Sequence, residues 1–455
     1  MLRLPDRFKS LLERLFALDL RSLAFLRIGL ALYLLWDLLD RGRSLEAHYS
    51  DIGVYPVGFL QKTEYIQGWW WEQWYIHCPN YWSFHSIPGD TGPWVGFVFA
   101  INAIFLIGML VGYKTRFMVL ACWILNISLQ NRNPMVLHGG DQMVRVLLFW
   151  AQFLPLGARW SIDGSCAIRR AYEAPVPKSI LSVSTFALLW QVCLVYFFTA
   201  ALKTGRDWLQ DGTALYYALS IDLYGTWTGR ILVQMPWLCW LLTRAALFWE
   251  AAGPLFLFVP DARVRVFAVF GFLAFHLFGI GLFMDVGPLS WTSALLWLAL
   301  LPGEFWDKLS ARWNKNQEKP IVARLTNLYH KLVEWRNRRV KARVAARKPL
   351  PSIAPWLPTQ IIAAFFIWFV TMWNLGTLPN KSPAQLIPPQ VRWLSAFTRL
   401  DQKWAMFAPY PAHDDGWFVM PAVYRDGRKA DLYTQLPVTW DKPAHVNRMF
   451  PDERW

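Results

Sequence analysis

The sequence predicts an all-α polytopic membrane protein of about nine transmembrane helices, followed by a small extracytoplasmic C-terminal segment of α+β or β character. Three observations carry that expectation. Of the 455 residues, 55% are hydrophobic, more than an ordinary soluble domain of this length carries, and no fibrous repeat accounts for them. The 29 Trp, 31 Phe and 16 Tyr exceed the needs of a soluble core, whereas bilayer proteins use aromatic rings as belts at headgroup depth. Apolar runs of roughly the 20 residues that cross hydrocarbon recur along the chain.

In order, the runs are 22–40, 94–112, 117–131, 142–157, 180–202, 231–259, 266–284, 288–302 and 354–375. The first follows basic residues but precedes no small-residue cleavage site, so it reads as a retained helix. The run 231–259 contains Arg244 and Glu250 and reads either as one tilted helix or as a broken one. The run 288–302 is short for a full crossing.

The formal charge of +15 is unevenly placed, with 13 Lys+Arg against 4 Asp+Glu in residues 303–350. A basic block between hydrophobic segments marks a cytoplasmic loop against anionic lipid and argues against a nucleic-acid partner. With nine crossings, this block shares one side with Arg3, Arg7, Lys9 and Arg14, with Lys114 and Arg116, with Arg159, Arg169, Arg170 and Lys178, and with Arg263 and Arg265. That side is the cytoplasm, because Lys and Arg resist translocation. The expected organisation is a membrane domain over 1–305, a basic cytoplasmic loop over 306–352, a last helix over 353–376 and an extracytoplasmic segment over 377–455.

Segment 41–93 falls outside on this reading and contains WWWEQWYIHCPNYW at 69–82. It reads as an interfacial aromatic segment or as one wall of a lipophilic-substrate groove. Residues 416–434 read as two short strands joined at Asp426-Gly427. The five cysteines lack C-x-x-C spacing, which points to neither a disulfide framework nor a zinc site. H-E-x-x-H, G-x-S-x-G and phosphate-cradling glycine loops are absent from the sequence, which argues against zinc proteolysis, serine hydrolysis and ATP hydrolysis.

Ionisable side chains within apolar spans are expensive and therefore informative. Arg27 and Asp37 lie on roughly one face of the first helix and are expected to pair with neighbouring helices. Lys203 ends the run VCLVYFFTAAL, where it is either a snorkelling helix-end lysine or a desolvated amine able to act as a base. His138, before Gly139 and Gly140, either satisfies loop carbonyls or handles a proton near neutral pH. His276 lies in the middle of its apolar run, where an unpartnered imidazole is costly, so it must bond a neighbouring helix or a bound lipophilic molecule. Glu250, beside Trp249, adds an acid.

The segments DLRSLAFLRIGL (19–30), RWSIDG (159–164), VYFFTAALKTGRDW (195–208) and FHLFGIGLF (275–283) resemble, in order, those of the HTTM (horizontally transferred transmembrane) superfamily, which includes the vitamin K-dependent gamma-glutamyl carboxylase. The resemblance extends over roughly residues 15–305. It implies that Lys203, between Tyr196-Phe197 and Asp207-Trp208, is the base that deprotonates a reduced quinone, although the carboxylase has two adjacent lysines where this chain has Leu202 and Lys203. It also implies that His276 lies near the quinone with Tyr196 and Trp208, and that His138 falls close to a functional histidine. The tail LDQKWAMFAPYPAHDDGW (400–417) looks like that of bacterial members and not like the carboxylase's large luminal region, which implies a location in the inner membrane.

Two functions follow as expectations. The first is an enzyme in which a reduced quinone of vitamin K or menaquinol type and O2 create a strong base for carboxylation or oxidation of a peptide or lipid substrate. The second is a non-enzymatic bundle that binds lipid or a partner membrane protein, because a shared fold does not fix function. A transporter is less favoured, since the halves show no repeat.

Overall fold

The computed structural model describes residues 5–58, 82–86, 92–165, 177–315, 331, 356–443, 446, 449 and 454. The aromatic run 69–82, apart from Trp82, and most of the basic block lie outside the described residues.

Helices cover all nine apolar runs, but six among the described residues are long and apolar enough to cross a membrane. These are α2 (Leu20–Arg43), α3 (Gly92–Val111), α6 (Val183–Ala201), α7 (Pro236–Ala252) with its 3-10 extension Gly253–Phe258, α8 (Ala262–Ala274) with its π-helical extension Phe275–Ile280, and α11 (Leu357–Gly376), which follows the polar helix α10 (Gly303–Lys315). Amphipathic α1 (Asp6–Phe16) precedes them without burying a residue.

The remaining three apolar runs form α4 (Thr115–Arg132), α5 (Gly139–Ala151) and α9 (Leu289–Leu298). At about 1.5 Å per residue, α5 rises about 20 Å and α9 about 15 Å, against a hydrocarbon core of about 30 Å. Helix α4 has the length, but its second half carries Asn126, Ser128, Gln130, Asn131 and Arg132, all buried. Buried polar groups need protein partners, so this half belongs to the protein interior. The run 231–259 is broken: Trp227–Val233 is a separate short helix, and Pro236 opens α7, where a missing N–H is tolerated.

Helices α3 and α4 form a hairpin, α2 packs on α3 and α9, α5 on α4 and α9, and α6 on α7 and α11. The turn between α3 and α4 holds Gly112 at φ +67°, and a Cβ there would lie 1.7 Å from an Arg27 guanidinium nitrogen. Only glycine meets both demands. Arg27 is thereby packed against the turn and donates to the Trp160 carbonyl at 2.6 Å, so its partner is a loop carbonyl. Asp37 likewise departs from the expected interhelical pairing. It accepts from Arg41 one turn along its own helix (2.8 Å) and from Arg454 near the end of the chain (2.6 Å). Arg41 also contacts Asp141 of α5 and donates to the Tyr49 hydroxyl at 2.6 Å, while Arg454 reaches Asp141 at 3.1 Å.

Beyond α11 the chain forms α12 (Pro389–Thr398), and residues 399–413 then run back across the bundle. Arg399 donates to Asn131 of α4, and Arg145 of α5 donates to the Asp401 carbonyl at 3.2 Å. Fully buried Gln402 and Gln191 of α6 exchange amide hydrogen bonds at 2.7 and 3.3 Å. The Trp150 indole donates to Gln191 at 3.1 Å and that of Trp404 to Gln402 at 3.0 Å, so these amides and indoles find partners, which is the condition under which a buried polar network fixes one arrangement. The strap continues with Trp208 donating to the Phe407 carbonyl (2.8 Å) and Gly205 to that of Pro409 (2.9 Å). A hairpin of β1 (Pro421–Val423) and β2 (Lys429–Asp431) follows, in the register Val423↔Lys429. Its turn holds Gly427 at φ +86°, at the expected Asp426-Gly427 position.

Candidate functional site

A cavity of about 1130 Å³ opens where α5, α6, α7, α8 and the strap converge. Ligand pockets are commonly about 300–1,000 Å³, so it can hold a drug-sized molecule. His138, Tyr196, Glu250 and His276 line it together with strap residues from Asp401 to Pro411. Of the five residues expected at a site, His138, Tyr196 and His276 therefore meet at one cavity. Lys203 and Trp208 lie behind it, joined to it through Glu250.

His276 stands at the start of the π-helical turns Phe275–Ile280. The wider coil displaces side chains from regular helical positions and recurs at functional sites. The Tyr196 hydroxyl lies 2.6 Å from His276 Nε2 and accepts from the Trp297 indole at 2.7 Å. Trp297 stacks on Phe272 with centroids 3.9 Å apart and planes at 7°. Aromatic packing thus sets the hydroxyl in place, and the hydroxyl sets the imidazole. The sequence required a partner for His276, and Tyr196 provides one. The opposite ring nitrogen, Nδ1, is buried without a hydrogen-bond partner among the described residues.

His138 caps α5. Its Nδ1 accepts from the Gly140 backbone N–H at 3.1 Å, and its own backbone N–H donates to Asp141 at 3.0 Å. An Nδ1 that accepts leaves the proton on Nε2, which is again buried without a partner among the described residues. Burial pushes the His138 imidazole down to about 4, so it is neutral at physiological pH. An unfolded chain takes up this proton near the ordinary histidine value of about 6.5. The associated stability is therefore complete above about pH 6.5 and is lost as the pH falls towards 4. His138→Gln should flatten stability against pH across that window, as read by urea or SDS titrations at fixed detergent; an unchanged slope would assign the acid sensitivity to other groups.

Lys203 is buried and in contact with the buried Glu250 carboxylate. Its Nζ also sits 4.3 Å from the centroid of the Trp208 ring, a cation–π contact worth about 0.5–2 kcal/mol. Trp208 is held in turn, its carbonyl accepting from Arg244 of α7 at 2.8 Å and its indole bonded to the strap. Of the two readings of Lys203, burial excludes the helix-end lysine that snorkels to water. The lysine has a carboxylate partner, and that carboxylate, not the lysine, lines the cavity.

Sequence reasoning noted residues 400–417 as a tail resembling that of bacterial members but did not assign them to the site; Asp401, Lys403, Trp404 and Phe407 line the cavity, yet they lie about 200 residues from Lys203 and no spacing rule connects them.

Helices long and apolar enough to cross a bilayer, packed around an internal cavity with polar groups at its wall, define a multi-pass membrane protein. The chain belongs to the HTTM domain family, whose profile matches residues 54–302, more than half of its length. Helix α2 precedes the matched region; α11 and the strap follow it. Searches of curated proteins and of solved structures find no significant match.

Proposed function

We propose that the protein is a membrane enzyme that binds a reduced quinone of vitamin K or menaquinol type in this cavity, and generates a strong base for carboxylation or oxidation of a peptide or lipid substrate at the outer face. The supporting observation is the pair of buried imidazole nitrogens, His138 Nε2 and His276 Nδ1, that lack partners in the wall of one large cavity. A buried polar atom without a partner costs about 1–3 kcal/mol. A flat lipophilic ring carrying two oxygens suits two such nitrogens set in a largely apolar wall. When bound, the quinol supplies the reaction with O2 from which the strong base arises. The protein's part is to orient and to move protons. Tyr196 and Trp297 hold His276 in place, and the α5 cap holds His138. Glu250, held by Lys203, takes the proton of the ligand hydroxyl.

Lys203→Ala should abolish oxygen-dependent consumption of menadiol by the purified protein while leaving its far-UV circular dichroism unchanged. Undiminished turnover would sink this reading. One observation favours the non-enzymatic alternative, a bundle that binds lipid or a membrane partner: Lys203 does not itself line the cavity. Absence of both menadiol binding and oxygen-dependent turnover in the unaltered protein would decide for that alternative.

A further inference from the structure

The tyrosine that orients His276 is also built to give up a hydrogen atom. The Tyr196 phenol accepts a hydrogen bond from the Trp297 indole at 2.7 Å and lies 2.6 Å from His276 Nε2. An indole nitrogen is a donor only, so the single phenol proton is left for Nε2, its acceptor among the described residues. Tyr196 and His276 are both buried, and both line the cavity. A phenol that loses an electron becomes a strong acid, and a charged radical kept in an apolar interior carries the cost of any unpaired buried ion. Oxidation of such a phenol therefore needs a base already within hydrogen-bond reach, about 2.6–3.2 Å. His276 Nε2 stands there.

The rings behind the pair extend the arrangement. The ring of Trp297 stacks on Phe272. Phe272 lies 5.0 Å from Trp249, which meets Phe267 edge-on at 5.9 Å between centroids, and Phe267 is exposed. Tyrosine and tryptophan are the aromatic side chains most readily oxidised by one electron. Three of them, Tyr196 of α6, Trp297 of α9 and Trp249 of α7, thus stand in one run of ring contacts from the cavity wall towards the outside of the bundle. A tyrosine that served only to position its histidine would need neither this run nor a base as its acceptor.

We propose that Tyr196 and His276 form a redox pair that delivers one electron to an oxygen-centred radical of peroxyl type arising in the cavity. This rests on the reading of a quinol that reacts with O2 for the natural source of the radical, but not for the chemistry of the pair. The Tyr196 O–H bond breaks. Its proton passes to His276 Nε2, its electron passes to the peroxyl radical, and the products are a phenoxyl radical, an imidazolium and a peroxide anion. The Trp297 N–H continues to donate to the phenoxyl oxygen. Return of one electron from outside, with the proton from His276, restores the phenol.

The test uses the whole protein in detergent, without quinol. A lipophilic azo initiator decomposing in air supplies peroxyl radicals inside the micelle, and samples are frozen for electron paramagnetic resonance or treated with a nitroso spin trap for site-resolved mass spectrometry. A tyrosyl signal should appear and the trap should label Tyr196. Absence of label at Tyr196 would overturn the proposal without any substitution. The signal should fall several-fold in Tyr196→Phe. It should fall equally in His276→Gln, whose amide oxygen still accepts from the phenol but cannot hold its proton, with far-UV circular dichroism unchanged in both. A full signal in either variant would overturn the pair. Label at Tyr196 in a protein that neither binds nor consumes menadiol defeats the quinol reading and leaves the pair standing. Menadiol consumption without label at Tyr196 defeats the pair and leaves the quinol reading standing.

Discussion

Glu250→Leu should cost the folded bundle about 3–5 kcal/mol, because it leaves the Lys203 ammonium buried without its carboxylate. The geometry leaves little relief. Lys203 and Glu250 are 4% and 6% exposed, so water cannot substitute for the lost partner, and among the described residues the face of Trp208 is the remaining close electrostatic contact. A double variant, Lys203→Met with Glu250→Leu, should recover most of the loss, since replacing a buried ion pair by apolar side chains of similar volume is often neutral or better. SDS titrations followed by circular dichroism would measure both. A double variant no more stable than Glu250→Leu would show that the lysine contributes packing and not a paired charge. Under the proposed quinol reading, menadiol turnover should be lost in both variants, which separates stability from the proposed chemistry of the pair.

A comparable loss, again about 3–5 kcal/mol, is expected for Arg41→Met. Arg41 is 1% exposed and ties together Asp37, Asp141 and the Tyr49 hydroxyl, so its removal leaves two buried carboxylates with Arg454 as their shared guanidinium partner. The control lies two residues away. Arg43 pairs with Asp40 at 3.2 Å, but its side chain is 79% exposed, and an exposed pair contributes about 0–1 kcal/mol. Arg43→Met should therefore change stability little. Equal effects of the two substitutions would refute the view that the buried cluster links α2, α5 and the C-terminal residues. Because Asp141 also fixes the backbone of His138, Arg41→Met should disturb the cavity as well as the bundle.

The two substitutions probe arrangements that differ in how visible they were in the sequence. Ionisable residues inside apolar runs stand out because hydrocarbon penalises them, so Lys203, Glu250, Arg27, Asp37 and His276 could all be singled out. Their partners could not. Asp37 joins a residue 417 positions away, and no spacing rule reaches that far. Lys203 illustrates the limit: the position was recognisable at a helix end, but the carboxylate that covers it comes from another helix 47 residues on. His276 could be required to have a partner, since an isolated buried imidazole is costly, and Tyr196 was suggested by the family resemblance alone.

Composition and apolar run length by themselves determined that the protein is a multi-pass helical membrane protein, because crossing hydrocarbon demands long apolar helices whatever the packing. The turn at Asp426-Gly427 was equally legible, because backbone restrictions act within a few residues, whereas the sequence of the run 231–259 fits a tilted helix as well as a broken one. The sequence also marked the run 288–302 as short for a crossing, but only the structure showed that the runs forming α4 and α5 differ from the six long apolar helices. Helix α5 stops early, and the buried polar half of α4 takes partners from a loop, from α5 and from the strap as well as from its own preceding turn. Tertiary structure alone decided that residues 399–411 close the cavity and bring Lys403 to it, since that placement depends on amide and indole contacts between segments about 200 residues apart.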